Sequence, residues 1–391
     1  MLNRDTFVAV PHRSQRKVDI SSLALAPAAG SFKHHRVFTA LRGEIQSGRW
    51  KRGDRLPSEA QLVKRFRVSR ITVGRAIRDL QQAGLVDRRA GSGTFARGIA
   101  GENALSFGLL IPDLGKTDIF EPICQGMMAS PLAHRHALIW GGAVAEDQST
   151  DDLAWALCRQ YIDRKVTGVF FAPLEMSTGK DEVNRRIGDA LDAAHIPVVL
   201  LDRALLPYPQ PGHHDVVGID NRRAGYVVTH HLRQLGCRRI AFIALHHAAA
   251  TVDAREAGYR EALHLDDLAF DASLVQRLDP ADPIAVQAFM KQQKPDGIVC
   301  ANDRTAASLM PTLLGLGHRI PRDVRLAGID DVDYARLLPV PLTTLRQPTH
   351  AIGSVALSVM LERLHQRDLP ARQVLLHCEL VVRESCGGKT V

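Results

Sequence analysis

The chain has 391 residues, of which 45% are hydrophobic and 24% charged, and its formal net charge is +8 at pH 7. This length suggests two or three domains, and the composition is ordinary for a globular protein. No stretch approaches the ~18 apolar residues of a membrane span, and the N-terminus lacks the order of a secretory signal, which predicts a cytoplasmic protein. The six cysteines form no CxxC pair, which favours reduced thiols over a disulfide framework or a zinc site.

The positive charge is concentrated near the N-terminus. Residues 31–98 contain 16 Lys+Arg and 5 Asp+Glu, a net of +11, whereas the 293 residues that follow contain 30 and 35, a net of −5. A compact basic segment joined to a mildly acidic body indicates a module that binds a polyanion. A solvated basic surface is the alternative.

The first predicted elements form a small helical domain. Residues 1–32 show no sustained period and are expected to be a disordered extension. Within residues 33–98, one helix ends at Gly48, a second follows a capping box formed by Ser58 and Gln61, and a third runs from Ser69 to Gly84. The third helix has two faces: an apolar one with Val73, Ala76, Ile77 and Leu80, and an opposite one with Ile71, Arg75 and Arg78.

The stretch "RRAGSGTF" (88–95) poses a choice between two kinds of phosphate site. Glycines beside arginines could hold a nucleotide phosphate, but such a loop needs a following helix and a third glycine, and neither is present. The glycines instead suit the turn of a hairpin between the short strands "GLVDRR" and "GTFAR". Three helices and a hairpin outline a winged helix-turn-helix domain, with the hairpin as a wing against DNA.

The remainder of the chain alternates apolar strands with amphipathic helices. After a linker over residues 99–105, this rhythm predicts an α/β fold with parallel sheets buried on both faces. Its length predicts two subdomains, residues 106–203 with 347–368 and residues 204–346 with 369–388. The predicted strands cover 107–111, 137–141, 168–172, 197–201, 240–244, 297–301 and 324–329, and the predicted helices cover 150–165, 182–195, 221–236, 253–265 and 303–317.

Polar side chains follow four of the predicted strands. They are Asp113, the pair Asp202 and Arg203, the pair Asn302 and Asp303, and the pair Asp330 and Asp331. Any single one could be a helix cap, but ligands of open parallel sheets bind at the carboxyl ends of the strands, and carboxylates, an amide and a guanidinium suit a polyhydroxylated ligand. Paired acids could also serve a glycosidase. No nucleophile elbow, HExxH motif or P-loop is found, and the paired histidines lack metal-ligand spacing, so no catalysis, metal or cofactor is expected.

Two segments of the chain resemble known families. The runs "GDRLPSE" (53–59), "VSRITV" (68–73) and "GSGTF" (91–95) resemble the GntR-type winged-helix DNA-binding domain. The resemblance implies DNA contacts by residues of two helices and the wing, with departures at Ala60 and at Gly74, where the family commonly has arginine. The implied residues are Ser58, Glu59, Ser69, Arg70, Thr72, Arg75, Arg88, Arg89, Gly91, Ser92, Gly93 and Thr94.

The body of the chain resembles the effector domain of LacI/GalR-type repressors, which is similar to periplasmic sugar-binding proteins. The resemblance rests on "PVVLLDR", "REAGYREAL", "CANDRTA", "RLAGIDD" and "PLTTLRQP", and the two-part combination resembles GntR-family arabinose repressors. It implies effector contacts by Arg203, Arg255, Asn302, Asp303, Asp330, Gln347 and Phe120, although Phe120 could equally belong to the core.

These observations predict a homodimeric DNA-binding regulator, a repressor of carbohydrate utilisation genes controlled by a small sugar-like effector. Two alternatives stay open: the same architecture with a phosphorylated or other non-sugar effector, and an enzyme with a DNA-binding head. The enzyme alternative would need a Schiff-base lysine after a strand, and no lysine of the body has that setting.

Overall fold

The computed structural model describes residues 29–46, 49–50, 53–82, 85–89, 92–96, 105–112, 114, 118–141, 149–206, 208–210, 212–266 and 268–388. The chain divides into an N-terminal unit, Met1–Asn103, and a C-terminal unit, Ala104–Val391. Within the described ranges, no helix is long and apolar enough to cross a membrane.

The N-terminal unit contains the predicted three helices and hairpin. They are α1 (Ala29–Gln46), α2 (Glu59–Phe66), α3 (Arg70–Gln82), β1 (Val86–Arg89) and β2 (Gly93–Ala96), and the two strands pair antiparallel. α1 begins inside the predicted disordered extension, because no proline separates Ala29 from the packed part of the helix and each added turn gains hydrogen bonds. The predicted stops at Gly48 and Gly84, and residues 1–28, lie outside the described residues.

Helical periodicity predicted the core of this unit. Val37, Leu41 and Ile45 of α1 and the apolar face of α3 are at most 1% exposed. The capping box is also confirmed: the Gln61 backbone N–H donates to Ser58 Oγ at 3.3 Å, and the Ser58 N–H donates to Gln61 Oε1 at 2.8 Å. The helix-turn-helix pair α2–α3 is thus held by local sequence signals and by one apolar core.

The C-terminal unit contains two sheets, and the first has the strand order β13-β7-β6-β5-β3-β4, all parallel. Its strands are β3 (Ser106–Leu110), β4 (Ala137–Trp140), β5 (Gly168–Phe171), β6 (Val198–Leu201), β7 (Asp215–Ile219) and β13 (Gln373–Leu376). Its helices are α4 (Phe120–Ala129), α5 (Thr150–Asp163), α6 (Lys180–Ala193) and α11 (Thr349–His365).

The second sheet has the order β14-β12-β11-β10-β8-β9 and is parallel except for β14. Its strands are β8 (Ile240–Ala244), β9 (Val275–Arg277), β10 (Gly297–Cys300), β11 (Arg325–Asp330), β12 (Thr343–Arg346) and β14 (Glu379–Val381), and its helices are α7 (Asn221–Gln234), α8 (Ala250–Leu265), α9 (Pro283–Gln293) and α10 (Asp303–Gly315). The α/β fold class with two parallel sheets is therefore confirmed.

The predicted subdomain boundaries are wrong at two strands. The residues of β7 and β13 fall in the predicted second subdomain, 204–346 with 369–388, and neither segment is among the predicted strands. The structure pairs β7 with β6 and β13 with β7 in the first sheet. The fully buried Asp215 of β7 anchors this edge, since it accepts from the Arg372 backbone N–H at 2.9 Å and pairs with Arg363 of α11. Because β7 belongs to the first sheet, the chain passes to the second sheet only after Ile219.

Candidate functional site

The outer face of α3 is the first candidate surface. Arg75 and Arg78 are exposed, and Ile71, at the start of the helix, is 81% exposed. Arg70 precedes them at the first turn, where its Nε lies 3.4 Å from Glu59 Oε2. This exposed basic face on the second helix of a helix-turn-helix has the chemistry to enter a DNA major groove.

Glu59 connects this helix to the hairpin. Its Oε1 accepts from Arg88 Nη2 at 2.6 Å, while its other oxygen faces Arg70. One carboxylate therefore orients two arginines that sequence reasoning assigned to DNA. Both arginine side chains remain largely exposed, at 84% for Arg70 and 46% for Arg88, and stay open to a phosphate or a base edge.

The three hydroxyl groups assigned to DNA on the helices, those of Ser58, Ser69 and Thr72, are engaged within the protein. Ser69 Oγ accepts from the Thr72 N–H at 3.2 Å and lies 2.8 Å from Thr72 Oγ1, and Ser58 Oγ caps α2. Such caps leave the remaining N–H groups of the helix N-termini free for a phosphate. DNA contacts by these residues stay predictions.

The wing turn depends on Gly93. Its φ of +118° favours glycine, and a Cβ added there would lie 2.8 Å from Arg55 Nε. Thr94, which pairs with Arg88 across the hairpin, accepts from the Leu56 N–H at 2.9 Å through its carbonyl, and Ser92 is exposed. Gly91 lies outside the described residues, and only the backbone of Arg89 is described.

The second candidate site is a cavity of about 390 Å³ in the C-terminal unit. Three strand ends of the first sheet contribute Pro112, Glu175 and Arg203, and three of the second contribute Leu245, Asn302 and Asp330. The predicted convergence of strand carboxyl ends on one site is thus seen in this unit. Asp113, which was expected to join them, lies outside the described residues.

Arg255 of α8 holds the second-sheet side of the cavity. It is 4% exposed and donates through Nε to Asn221 Oδ1 at 2.8 Å and through Nη1 to the Ala301 carbonyl at 2.7 Å. Its Nη2 lies 3.3 Å from Asp330 Oδ1. Gly225 permits this placement, because a Cβ there would lie 1.9 Å from the Arg255 carbonyl oxygen. The guanidinium is therefore fixed by α7, α8 and two strand ends.

Arg203 holds the first-sheet side. Its Nη1 lies 2.9 Å from Glu175 Oε2, and its Cζ lies 5.5 Å from the centre of the Phe120 ring at the start of α4. Within the described part of the chain, Arg203 Nε and Asp202 Oδ1 are buried without a hydrogen-bond partner. Both residues line the cavity, so these two atoms are an unused donor and an unused acceptor at its wall.

Burial shifts the pKa of the cavity carboxyls. Burial raises the pKa of Asp330 to about 6, although the charge of Arg255 opposes the shift, and burial also raises the pKa of Asp202. Burial would raise the pKa of Glu175 too, but the charge and hydrogen bond of Arg203 outweigh it and hold that pKa below its usual value.

The backbone of two cavity residues is strained. Asp202 and Asp330 have positive φ, 68° and 129°, a conformation that is often found at binding sites.

Two predicted effector residues do not line the cavity. Asp303 is fully buried behind it, where Oδ1 accepts from Thr344 Oγ1 at 2.6 Å and Oδ2 from the Val332 N–H at 3.2 Å. Gln347 donates through Nε2 to Asp330 Oδ1 at 2.7 Å and so orients that carboxylate from behind. The cavity lining does include Phe120, Arg203, Arg255, Asn302 and Asp330. Asn302 Oδ1 also caps α10, accepting from the Thr305 N–H at 2.9 Å.

Sequence reasoning missed Glu175 and the loop that carries it. Glu175, Met176 and Ser177 follow β5 and line the cavity. The signal was available, since "GVFFAPLE" places an acid after an apolar strand, as at the other strand ends.

Two hydrogen bonds join the subdomains beside the cavity. In the loop that carries Glu175, the Met176 N–H donates to the His247 carbonyl at 2.9 Å. A second bridge joins Tyr334 Oη to Asp118 Oδ2 at 3.1 Å.

The family models match both parts of the chain. Residues 33–96 match the family of bacterial regulatory proteins named gntR, and residues 229–386 match the periplasmic binding protein-like domain.

Three named proteins to which this chain is similar are transcriptional regulators. The arabinose metabolism transcriptional repressor of Geobacillus stearothermophilus is 26% identical, over 87% of this chain and 94% of its own length. The HTH-type transcriptional repressor PurR of Vibrio atlanticus is 28% identical, but the match covers 58% of this chain and 66% of PurR. A LacI family regulator from Enterococcus faecalis, crystallised with ribose, is 25% identical with a TM-score of 0.57, covering 72% of this chain and 98% of its own.

Proposed function

We propose that this chain, which joins a GntR-type helix-turn-helix domain to a periplasmic binding protein-like domain, is a transcriptional repressor of carbohydrate utilisation genes. It binds a DNA operator through α3 and the wing, and a small sugar-like effector in the cavity sets its DNA affinity. The observation that carries the proposal is the cavity itself, whose volume of about 390 Å³ fits a small molecule and whose arginines and carboxylates come from both sheets. A homodimer on a palindromic site, in the cytoplasm where the DNA lies, is part of the proposal.

The buried charges in the cavity favour an uncharged, hydroxylated effector over a phosphorylated one, although the exposed Arg304 also lines it. Each buried arginine already faces its own carboxylate, Arg203 facing Glu175 and Arg255 facing Asp330. A phosphate would add negative charge beside these acids, in a site where charges are poorly screened. A hydroxyl group can both accept from Arg203 Nε and donate to Asp202 Oδ1, which a phosphate dianion cannot.

The contacts between the subdomains support control by ligand-dependent closure. The bridges from Met176 and Tyr334 join the two sides at the loops that line the cavity. An effector that contacts both sides would stabilise this closed arrangement relative to an open one. The enzyme alternative gains no support from the described residues of the cavity, because lysine is absent from its lining.

Selection of DNA tests the regulatory function. The full-length chain, incubated with random duplexes, should enrich a palindromic sequence, and its affinity for that sequence should fall steeply as salt rises, because bound phosphates release counterions. The proposal would be contradicted if no sequence were enriched, or if the affinity for DNA did not change with salt concentration.

Glu175 provides a prediction about effector charge. In a thermal-shift panel of neutral sugars, sugar acids and sugar phosphates, neutral sugars should stabilise the wild-type chain and anionic ones should not. In Glu175→Gln, anionic members should gain at least about tenfold in affinity, because Arg203 loses its main partner while the glutamine oxygen remains an acceptor.

Glu182→Gln is the matched control for this charge change, since Glu182 is an exposed carboxylate on α6 outside the cavity lining. Glu182→Gln should keep the wild-type preference for neutral sugars over anionic ones. Equal binding of sugar phosphates and neutral sugars by the wild type would contradict the neutral-effector proposal.

A further inference from the structure

An isoleucine stands exposed where the protein would meet DNA. Ile71 is the second residue of α3, and its side chain is 81% exposed, whereas Val73, two residues on, is fully buried. Within the described part of the N-terminal unit, no other large apolar side chain is comparably exposed. The helix thus presents an apolar group to solvent at the turn that also carries Arg70.

The neighbours of Ile71 define what it can reach. Gly74, one helical turn later, has no side chain, and a Cβ added there would meet nothing within 4 Å. Arg75 and Arg78 follow on the same exposed face, and the structure shows no ion pair for either within its described ranges. This face therefore carries one apolar side chain, a glycine without a side chain and two arginines without an ion pair among the described residues. At the glycine the helix backbone can approach a groove closely.

The chemistry of the major groove offers one apolar partner. Each base pair shows hydrogen-bond donors and acceptors there, and only thymine adds an apolar group, its C5-methyl. The first residues of a recognition helix are those that reach base edges. We infer that Ile71 packs on a thymine methyl group and is a specificity-determining residue of this protein, an inference that rests on the proposed DNA-binding function.

The division of labour on α3 follows from this contact. Arg70, Arg75 and Arg78 supply hydrogen bonds to guanine or to phosphates, whereas Ile71 discriminates thymine from cytosine and uracil without a hydrogen bond. Gly74 contributes no side chain to this face, so the apolar contact carries a larger share of sequence choice.

Uracil substitution tests the contact. After selection of a binding site with the full-length chain, each thymine of the site is replaced singly by deoxyuridine, which removes only the methyl group. We expect one position in each half-site where the wild type loses about fourfold in affinity, the effect of one buried methyl. For Ile71→Ala, thymine and uracil at that position should bind equally, and its melting temperature should match the wild type because the side chain is exposed.

Ile284→Ala is the matched control, because Ile284 is 80% exposed in the C-terminal unit. It should keep the wild-type fourfold ratio. The inference is overturned if no uracil substitution weakens the wild type, or if Ile71→Ala keeps the same ratio as the wild type. If selection enriches no sequence at all, the proposed function fails and the inference fails with it, an outcome distinct from a selected site that is insensitive to methyl removal.

Discussion

Replacing Arg255 by alanine is expected to abolish effector binding and to lower the free energy of unfolding of the C-terminal unit by about 3–5 kcal/mol. The guanidinium is 4% exposed and donates to Asn221, the Ala301 carbonyl and Asp330. Its removal leaves the buried Asp330 carboxylate with Gln347 but without its positive partner, and it takes a donor from Asn221 Oδ1 and from the Ala301 carbonyl, which is among the most destabilising changes a core can undergo. Urea unfolding followed by circular dichroism, with calorimetric titration of the effector, measures both losses.

Two further variants separate folding from binding at this position. Arg255→Lys keeps the charge but cannot serve three acceptors in one plane, so binding should fall at least about 100-fold with a smaller loss of stability. Arg260→Ala, five residues along α8, removes a half-exposed arginine that pairs with Glu256 and should cost under about 1 kcal/mol without affecting the effector. Full effector affinity in Arg255→Lys would place the ligand elsewhere.

The buried carboxyl groups of Asp303 and Asp330 are expected to lower the stability of the C-terminal unit as pH rises from 4 to 7. Burial raises the pKa of Asp303 to about 7, with the charge of Asp330 adding to the shift, and burial raises the pKa of Asp330 to about 6. Both values exceed the ~3.9 of an unfolded aspartate, so between these limits the folded state binds more protons than the unfolded state. The contribution of these two protonated carboxyl groups to the free energy of unfolding is therefore complete below about pH 4. It is lost as pH passes 6 to 7.

Asp303→Asn should flatten this pH dependence. The amide can mimic the protonated acid, with its oxygen accepting from the Val332 N–H and its nitrogen donating to Thr344 Oγ1. Asp323→Asn is the control: Arg319 lowers the pKa of this exposed aspartate to about 2, below the window, so the slope between pH 4 and 7 should not change. Parallel curves for the wild type and Asp303→Asn across this window would contradict the prediction.

Local signals in the sequence predicted the parts of the fold that depend on local chemistry. The capping box at Ser58, the apolar face of α3 and the hairpin follow from spacing and turn chemistry alone. The polar strand ends indicated the cavity, because parallel strands deliver their carboxyl ends to one edge. Resemblance then singled out Arg255, which no spacing rule would have chosen from within a helix.

The sequence did not predict the features that depend on contacts between residues far apart in the chain. Asp303 follows β10 like a ligand-binding residue, yet Thr344 and Val332, some 30 to 40 residues on, hold both of its oxygens. Strand β7 is not among the predicted strands, and its pairing with β6 and β13 places it in the first sheet. Glu175 was missed because its importance comes from facing Arg203, 28 residues away in sequence.

The most direct measurement takes the sugar that stabilises the full-length chain in the thermal-shift panel and determines the dissociation constant for the selected DNA with and without it. We expect a change of about 5- to 150-fold, the usual range of coupling between two sites, and its loss in Arg255→Lys. An unchanged dissociation constant at saturating sugar would contradict the claim that the cavity controls DNA binding.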